Sequence, residues 1–262
     1  MREELKIAIE AAVKAGQRIL EIYNDPNSDF EVERKADNSP LTIADRAAHC
    51  VIVSSLEQLS IPILSEEGRG VPYEERRDWS RLWIVDPLDG TKEFIKRNGE
   101  FTVNIALVEE GVPVLGVIYV PVTGELYYGD QNYGCEGRAA AFKQSAGGQV
   151  ISIPFRGGAE RTDYIVVASR SHLSAETAEF VEGLKAEHSS VEMVSKGSSL
   201  KICLVAEGSA DVYPRFAPTM EWDTAAGDAI LRAAGGVLTH VDNTEPLTYN
   251  KMDLLNPYFI TR

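Results

Sequence analysis

Four apolar residues, Leu82-Trp83-Ile84-Val85, run without a spacer into Asp86-Pro87-Leu88-Asp89-Gly90-Thr91. A short run of this kind reads as a buried strand, and the residues after it restrict how the chain can continue. Pro87 presets φ and Gly90 permits a sharp turn, so two carboxylates three positions apart and the Leu88 carbonyl can be aimed at one point. The run Ile61 to Leu64 ends the same way, in Glu66-Glu67. Strand ends that carry acids suggest a site, because clustered carboxylates repel one another unless cations compensate.

Hard divalent cations take oxygen ligands, and Mg²⁺ combines a few carboxylates with water and substrate phosphate. A strand closing in a capped turn is the plain alternative for any single D-P-x-D. Two other acidic motifs fail on spacing. An EF-hand needs an acid or amide at loop position three and glycine at six, whereas Leu88 stands at three and Gly90 at five. A nucleophilic D-x-D-x-T aspartate would need its second acid one residue before Asp89. Downstream, Asp223 in Glu221-Trp222-Asp223-Thr224-Ala225-Ala226-Gly227 opens a helix, where an aspartate is commonly a cap.

The spacing of Leu5, Ile9, Val13, Ile19, Leu20 and Tyr23 predicts a first helix stopped by Asn24-Asp25-Pro26. Thr42-Ile43-Ala44-Asp45 fits a capping box opening a second. Phe101 to Val108, Val112 to Val120 and Glu125 to Gly129 read as an antiparallel meander. From about residue 150 strands and helices alternate: strand Tyr164 to Ala168, helix Ser174 to Lys185, strand Val191 to Val194, helix Ser199 to Glu207, strand Ala210 to Tyr213, helix Asp223 to Ala234 and strand Val237 to Val241. The expected organisation is an α+β metal-binding half with the antiparallel sheet, residues 1–150, and an α/β substrate-specificity half, residues 151–262, in one continuous body.

Lys and Arg number 26 against 40 Asp and Glu, a formal charge of −14. That balance argues against a general binder of nucleic acid or anionic membrane. Cys50, Cys135 and Cys203 are widely spaced and form no C-x-x-C pattern, which suggests a reducing compartment. Charges throughout Met1 to Tyr23 do not fit an export signal. The longest uncharged run, Gly111 to Gly124, contains two prolines and is shorter than the ~18 residues a spanning helix needs. The expected location is cytoplasmic, with peripheral attachment at the inner membrane face left open, and the expected state is monomer or homodimer.

Together, Leu64-Ser65-Glu66-Glu67, Trp83 through Phe94 and Trp222 through Gly227 resemble the lithium-sensitive, Mg²⁺-dependent inositol monophosphatase superfamily. Within it, Lys35-Ala36-Asp37-Asn38-Ser39-Pro40, Thr91 through Phe101, Gly197-Ser198-Ser199-Leu200-Lys201 and Tyr213-Pro214-Arg215-Phe216 resemble the CysQ-type 3'(2'),5'-bisphosphate nucleotidases of bacteria. The resemblance implies a layered α/β/α/β/α sandwich of the inositol monophosphatase and fructose-1,6-bisphosphatase type. It also implies two or three Mg²⁺ ions held by Glu66, Asp86, the Leu88 carbonyl, Asp89 and Asp223. Asp45 would face the site through water, with Glu66 and Thr91 beside it as catalytic groups, Thr91 orienting the attacking water. The amides of Gly90 and Thr91 would meet the phosphate, beside Asp223. Ser198, Ser199, Lys201 and Arg215 look like the nucleotide wall, with His172 a base or ribose contact.

The expected reaction is removal of the 3'-phosphate of adenosine 3',5'-bisphosphate, extending to 3'-phosphoadenylyl sulfate, in nucleotide recycling during sulfur assimilation. The pair Lys92-Glu93 after D-G-T departs from the general inositol-phosphatase pattern. Inositol monophosphate or fructose bisphosphate as substrate is the first alternative, and an inactive nucleotide-binding sensor the second. For a lone Lys201 or His172 the plain reading is a solvated or polar-loop residue. Trp83, Val85, Ile105, Leu107, Leu200, Cys203 and Leu204 read as core.

Overall fold

The computed structural model describes residues 1–30, 32–34, 40–133, 137–154, 162–168 and 174–262. Lys35 to Ser39, Cys135 and His172, all singled out in the sequence, lie outside them. Helix α1 (Glu3–Tyr23) leads to a short pair, β1 (Glu33–Arg34) and β2 (Pro40–Leu41), and to α2 (Ile43–Leu56). Thr42 accepts from the Ala44 amide while Asp45 accepts from the Thr42 amide, so the expected capping box is formed.

Seven strands make the main sheet: β3 (Ile63–Ser65), β4 (Arg81–Asp89), β5 (Thr102–Glu109), β6 (Val112–Val120), β7 (Glu125–Tyr133), β8 (Arg138–Gln144) and β9 (Val150–Ile153), hydrogen-bonded in that order. Helices α3 (Tyr73–Arg76) and α4 (Thr91–Ile95) flank β4. β3 and β4 are parallel and every later pair antiparallel. Alternation along the strands gives the sheet two apolar faces. Trp83, Val85, Val103, Ile105 and Leu107 pack under α1 and α2, whereas Leu82, Ile84, Ala106 and Val108 face the other way.

On that second face lie α6 (Leu200–Glu207) and α7 (Glu221–Ala233). The cross-strand pair Gly116 and Gly129 lets α7 approach the sheet backbone. A Cβ at Gly116 would stand 2.2 Å from the Ala226 carbonyl oxygen, and one at Gly129 would stand 2.9 Å from the Ile230 Cα. Beyond these helices a second sheet forms from β10 (Tyr164–Ala168), β11 (Val191–Ser195), β12 (Tyr213–Arg215), β13 (Leu238–His240) and β14 (Phe259–Thr261), with α5 (Ala175–Glu187) outside it. β10 and β11 are parallel, β12-β14-β13 antiparallel, and a parallel bridge from Val166 to Val212 joins the two groups. Val167, Tyr213 and Phe259 face α6 and α7, while Val166, Val212 and Ile260 face α5. The layers are therefore α/β/α/β/α, as the resemblance implied.

Two local expectations need correction. The strand expected at Ala210 to Tyr213 is displaced to Tyr213–Arg215, because its ladder partner is β14. The last long helix starts at Glu221, which puts Asp223 on its first turn and not at its cap. In this later half β14 lies antiparallel between β12 and β13. Among the described residues no helix is long and apolar enough to cross a membrane.

Candidate active site

Parallel pairing brings the two acid-bearing strand ends side by side. The Glu66 amide donates to the Val85 carbonyl (3.1 Å), extending the β3–β4 ladder to the first carboxylate. On its other edge β4 pairs Asp86 with Asn104 and Asp89 with Thr102, and the register breaks between them. Pro87 cannot donate to a ladder, so the bulge falls where the backbone has least to lose. Asp86 Oδ1 accepts from the Leu88 amide (3.0 Å). Gly90 turns through φ +92° into α4.

From the other half of the chain, the first turn of α7 supplies Asp223, whose Oδ2 accepts from the Met220 amide (2.8 Å). One oxygen each from Asp86, Asp89 and Asp223 lies within 4.8 Å of the others, Asp86 buried and the other two half-buried. No salt bridge ties any of the three to Lys or Arg among the described residues. Burial first, then the charges of Glu66, Asp89 and Asp223, holds the Asp86 carboxyl well above the ordinary carboxylate range. Burial and Asp89 push Asp223 up to about 8. An all-oxygen set whose members resist ionisation side by side suits a hard divalent cation and fits a thiolate- or imidazole-seeking one poorly.

The sign of this strain is testable. Asp223 titrates higher in the folded chain than unfolded, so the stability kept by its neutral form is complete below the usual carboxylate pKa and is lost as pH rises through about 8. Without divalent cations at about pH 9, Asp223→Asn is expected to melt several degrees above wild type, with the gap closing toward about pH 4. Equal melting temperatures at about pH 9 would contradict the strained-cluster account.

Thr91 stands at the start of α4, where its hydroxyl lies 3.2 Å from Asp45 Oδ1 and 3.4 Å from the Leu88 carbonyl. Asp45 divides its oxygens, Oδ2 serving the α2 cap and Oδ1 facing Thr91. Burial raises its pKa, against the hydrogen bonds from Thr42.

A cleft of ≈ 580 Å³ opens on these groups, and Glu66, Asp89, Gly90, Thr91 and Asp223 share its lining with Ser198, Ser199, Lys201 and Arg215. Lys201 is not a solvated helix lysine. It is 7% exposed, and its ammonium donates to the carbonyls of Ser198 (2.6 Å) and Lys196 (3.4 Å). Burial pulls its pKa down to about 8, opposed by the charge of Asp89. Arg215 donates through Nη2 to the Pro218 carbonyl (3.2 Å), and its Nε is buried without a hydrogen-bond partner among the described residues. Ser198, at φ +45°, has a buried hydroxyl likewise without one. Ser199 lines the cleft, yet its hydroxyl is bound internally to Asp89 Oδ2 (2.6 Å).

Sequence reasoning did not single out Asn104, Pro218, Thr219 or Leu255. Asn104 carried a signal, a polar residue inside the apolar run from Val103 to Val108. Leu255 carried none, since a bridge to Met220 brings it to the cleft from the far end of the chain.

This fold and this acidic cleft define a class: the chain belongs to the inositol monophosphatase family, which it matches over residues 1–258. Within the family, it is 48% identical over 253 residues to the 3'(2'),5'-bisphosphate nucleotidase CysQ of Escherichia coli K12, covering 95% of this chain and 96% of that protein. The crystal structure of CysQ from Bacteroides thetaiotaomicron superposes with a TM-score of 0.87 at 56% identity, covering 98% of this chain and 96% of that one. The SuhB protein of Bartonella henselae is more distant, with a TM-score of 0.73 and 25% identity over 99% of this chain and 93% of its own.

Proposed function

We propose that the chain is a Mg²⁺-dependent 3'(2'),5'-bisphosphate nucleotidase that converts adenosine 3',5'-bisphosphate to AMP and phosphate, accepts 3'-phosphoadenylyl sulfate as well, and recycles these nucleotides in the cytoplasm during sulfur assimilation. The observation that carries this reading is one cleft lined both by an acidic cluster and by two cations, Lys201 and Arg215, that form no salt bridge with a carboxylate among the described residues. A substrate with two phosphates needs a second anion receptor besides the metal centre, and Lys and Arg supply it. The identity shared with the CysQ proteins supports the same substrate class.

Asp86, Asp89, Asp223, Glu66 and the Leu88 carbonyl would hold two or three divalent cations. When bound, these neutralise phosphate charge and lower the pKa of water. The chain's own part is to orient and to move a proton. Thr91 donates to Asp45 and keeps its lone pairs for a water placed in line with the 3'-oxygen. As that water attacks phosphorus and the bond to the 3'-oxygen breaks, its proton passes to Thr91 while the Thr91 proton passes to Asp45, and the departing 3'-oxygen takes a proton from solvent water to leave as the 3'-hydroxyl. The raised pKa of Asp45 makes it the better acceptor. Lys201 and Arg215 hold the 5'-phosphate, and Ser198 offers its unused hydroxyl to the nucleotide.

A substrate panel at equal concentration tests the assignment. Adenosine 3',5'-bisphosphate is expected to be hydrolysed at least tenfold faster than inositol 1-phosphate or fructose 1,6-bisphosphate. Chelator should stop the reaction, Mg²⁺ restore it and Li⁺ inhibit it. Preference for inositol 1-phosphate would overturn the substrate assignment, and phosphate release from none of the three would indicate a binding protein.

A further inference from the structure

Asn104 is 1% exposed and Ser199 is 3% exposed, although both are polar and the nearest neighbours of Asn104 along β5 are apolar. Burying such groups is cheap only where their hydrogen bonds are made, as they are at the Ser199 hydroxyl and at Asn104 Nδ2, whereas Asn104 Oδ1 is buried without a partner among the described residues. The Ser199 hydroxyl lies 2.6 Å from Asp89 Oδ2, 2.8 Å from Asn104 Nδ2 and 3.0 Å from the Asp223 carbonyl oxygen. Asn104 Nδ2 also reaches Asp89 Oδ2, at 3.4 Å. A hydroxyl has one proton to give. With the amide donating to the serine oxygen, the short contact to a carboxylate is the favoured destination of that proton. Asp89 Oδ2 is therefore held by two donors from elements distant in sequence, one on β5 and one at the entrance to α6.

We infer that Asn104 and Ser199 are positioning residues for Asp89, and that the Ser199 hydroxyl serves this carboxylate and not the substrate. The inference rests on the reading of Asp89 as a cation ligand. It also gives Ser199 a coupling role. Its neighbour Ser198 lines the cleft and receives the Lys201 ammonium on its carbonyl, so the loop carrying the phosphate-binding cation is fixed to the acid cluster through one side chain. Groups that orient a ligand from behind it are expected to govern metal affinity and turnover more than substrate affinity.

The test uses the full chain and Mg²⁺ alone, following the rise in melting temperature over each variant's own metal-free value, so that a general loss of stability cancels. Ser199→Ala and Asn104→Ala should each raise the Mg²⁺ concentration giving half the rise by about 10- to 100-fold. At saturating Mg²⁺ both should lower kcat on adenosine 3',5'-bisphosphate and leave KM within about threefold of wild type. A normal Mg²⁺ response with a raised KM in Ser199→Ala would overturn the inference and make Ser199 a substrate contact. Asn104→Ala tests the same point independently if the serine variant does not fold. Asp89→Asn separates the metal reading from the positioning role: if it keeps the wild-type Mg²⁺ response, the metal reading itself fails. If it loses that response while the other two variants keep it, only the positioning role fails.

Discussion

Asp89→Asn should lower turnover by more than two orders of magnitude while the circular-dichroism spectrum stays that of wild type. Asp89 ends β4, shares the acidic cluster with Asp86 and Asp223, and lines the cleft. The amide keeps the shape and can still accept from Ser199, so the local packing survives. What disappears is one negative charge at the place where several are concentrated. That weakens the hold on a cation and its effect on a bound water at the same time. Loss of a group that merely orients a ligand costs about 10- to 100-fold, and loss of a ligand should exceed it. Near-wild-type rates in saturating Mg²⁺ would remove Asp89 from the metal centre.

The second large effect concerns selectivity. Lys201→Ala and Arg215→Ala are each expected to reduce kcat/KM on adenosine 3',5'-bisphosphate by one to two decades, and to change the rate on adenosine 3'-monophosphate far less. A charge-assisted contact is worth roughly 1.5 to 3 kcal/mol, which sets that range. Lys201 suits the role because no carboxylate neutralises its ammonium within salt-bridge distance among the described residues, and burial pulls its pKa down to about 8. An arriving phosphate favours the charged form, so binding should draw a proton from solution near that pH. If the contact is made equally in ground and transition states the loss appears in KM, and if it orients the 3'-phosphate it lowers kcat as well. Lys201 also holds the Ser198 carbonyl, and the paired substrates expose that second role. Equal losses on both would mean that these side chains support the loop and do not bind the 5'-phosphate.

The parts of this design legible in the sequence are those with local causes. Thr42 to Asp45 formed the expected cap because its hydrogen bonds span three residues, and α1 stopped at Tyr23, ahead of Asn24-Asp25-Pro26. The carboxylates were visible as a class because each closes or opens an element. Less visible was everything fixed by long-range pairing. β14 is three residues long, and only its place between β12 and β13 makes it a strand. Apart from Phe142 and Ile153, β8 and β9 carry small, polar or exposed residues and show little periodicity. The bonding of Ser199 was equally hidden, since one partner lies 110 residues away and another 95. Lys201 was ambiguous for a simpler reason: a helix lysine in a sequence carries no mark of whether its amine meets water or a cavity.

The glycine pair beneath α7 carries a consequence for how loss-of-function alleles of such an enzyme would be distributed. Gly116 faces Ala226, one helical turn beyond Asp223, so any side chain added there lifts the helix at the end that carries the acid. A misplacement of about 1 Å there alters the geometry of the acidic cluster, because the sheet on the other side holds its own carboxylates still. Random mutagenesis scored by activity should therefore return substitutions at Gly116 and Gly129 among the null alleles, although both lie in the middle of strands and outside the lining of the cleft.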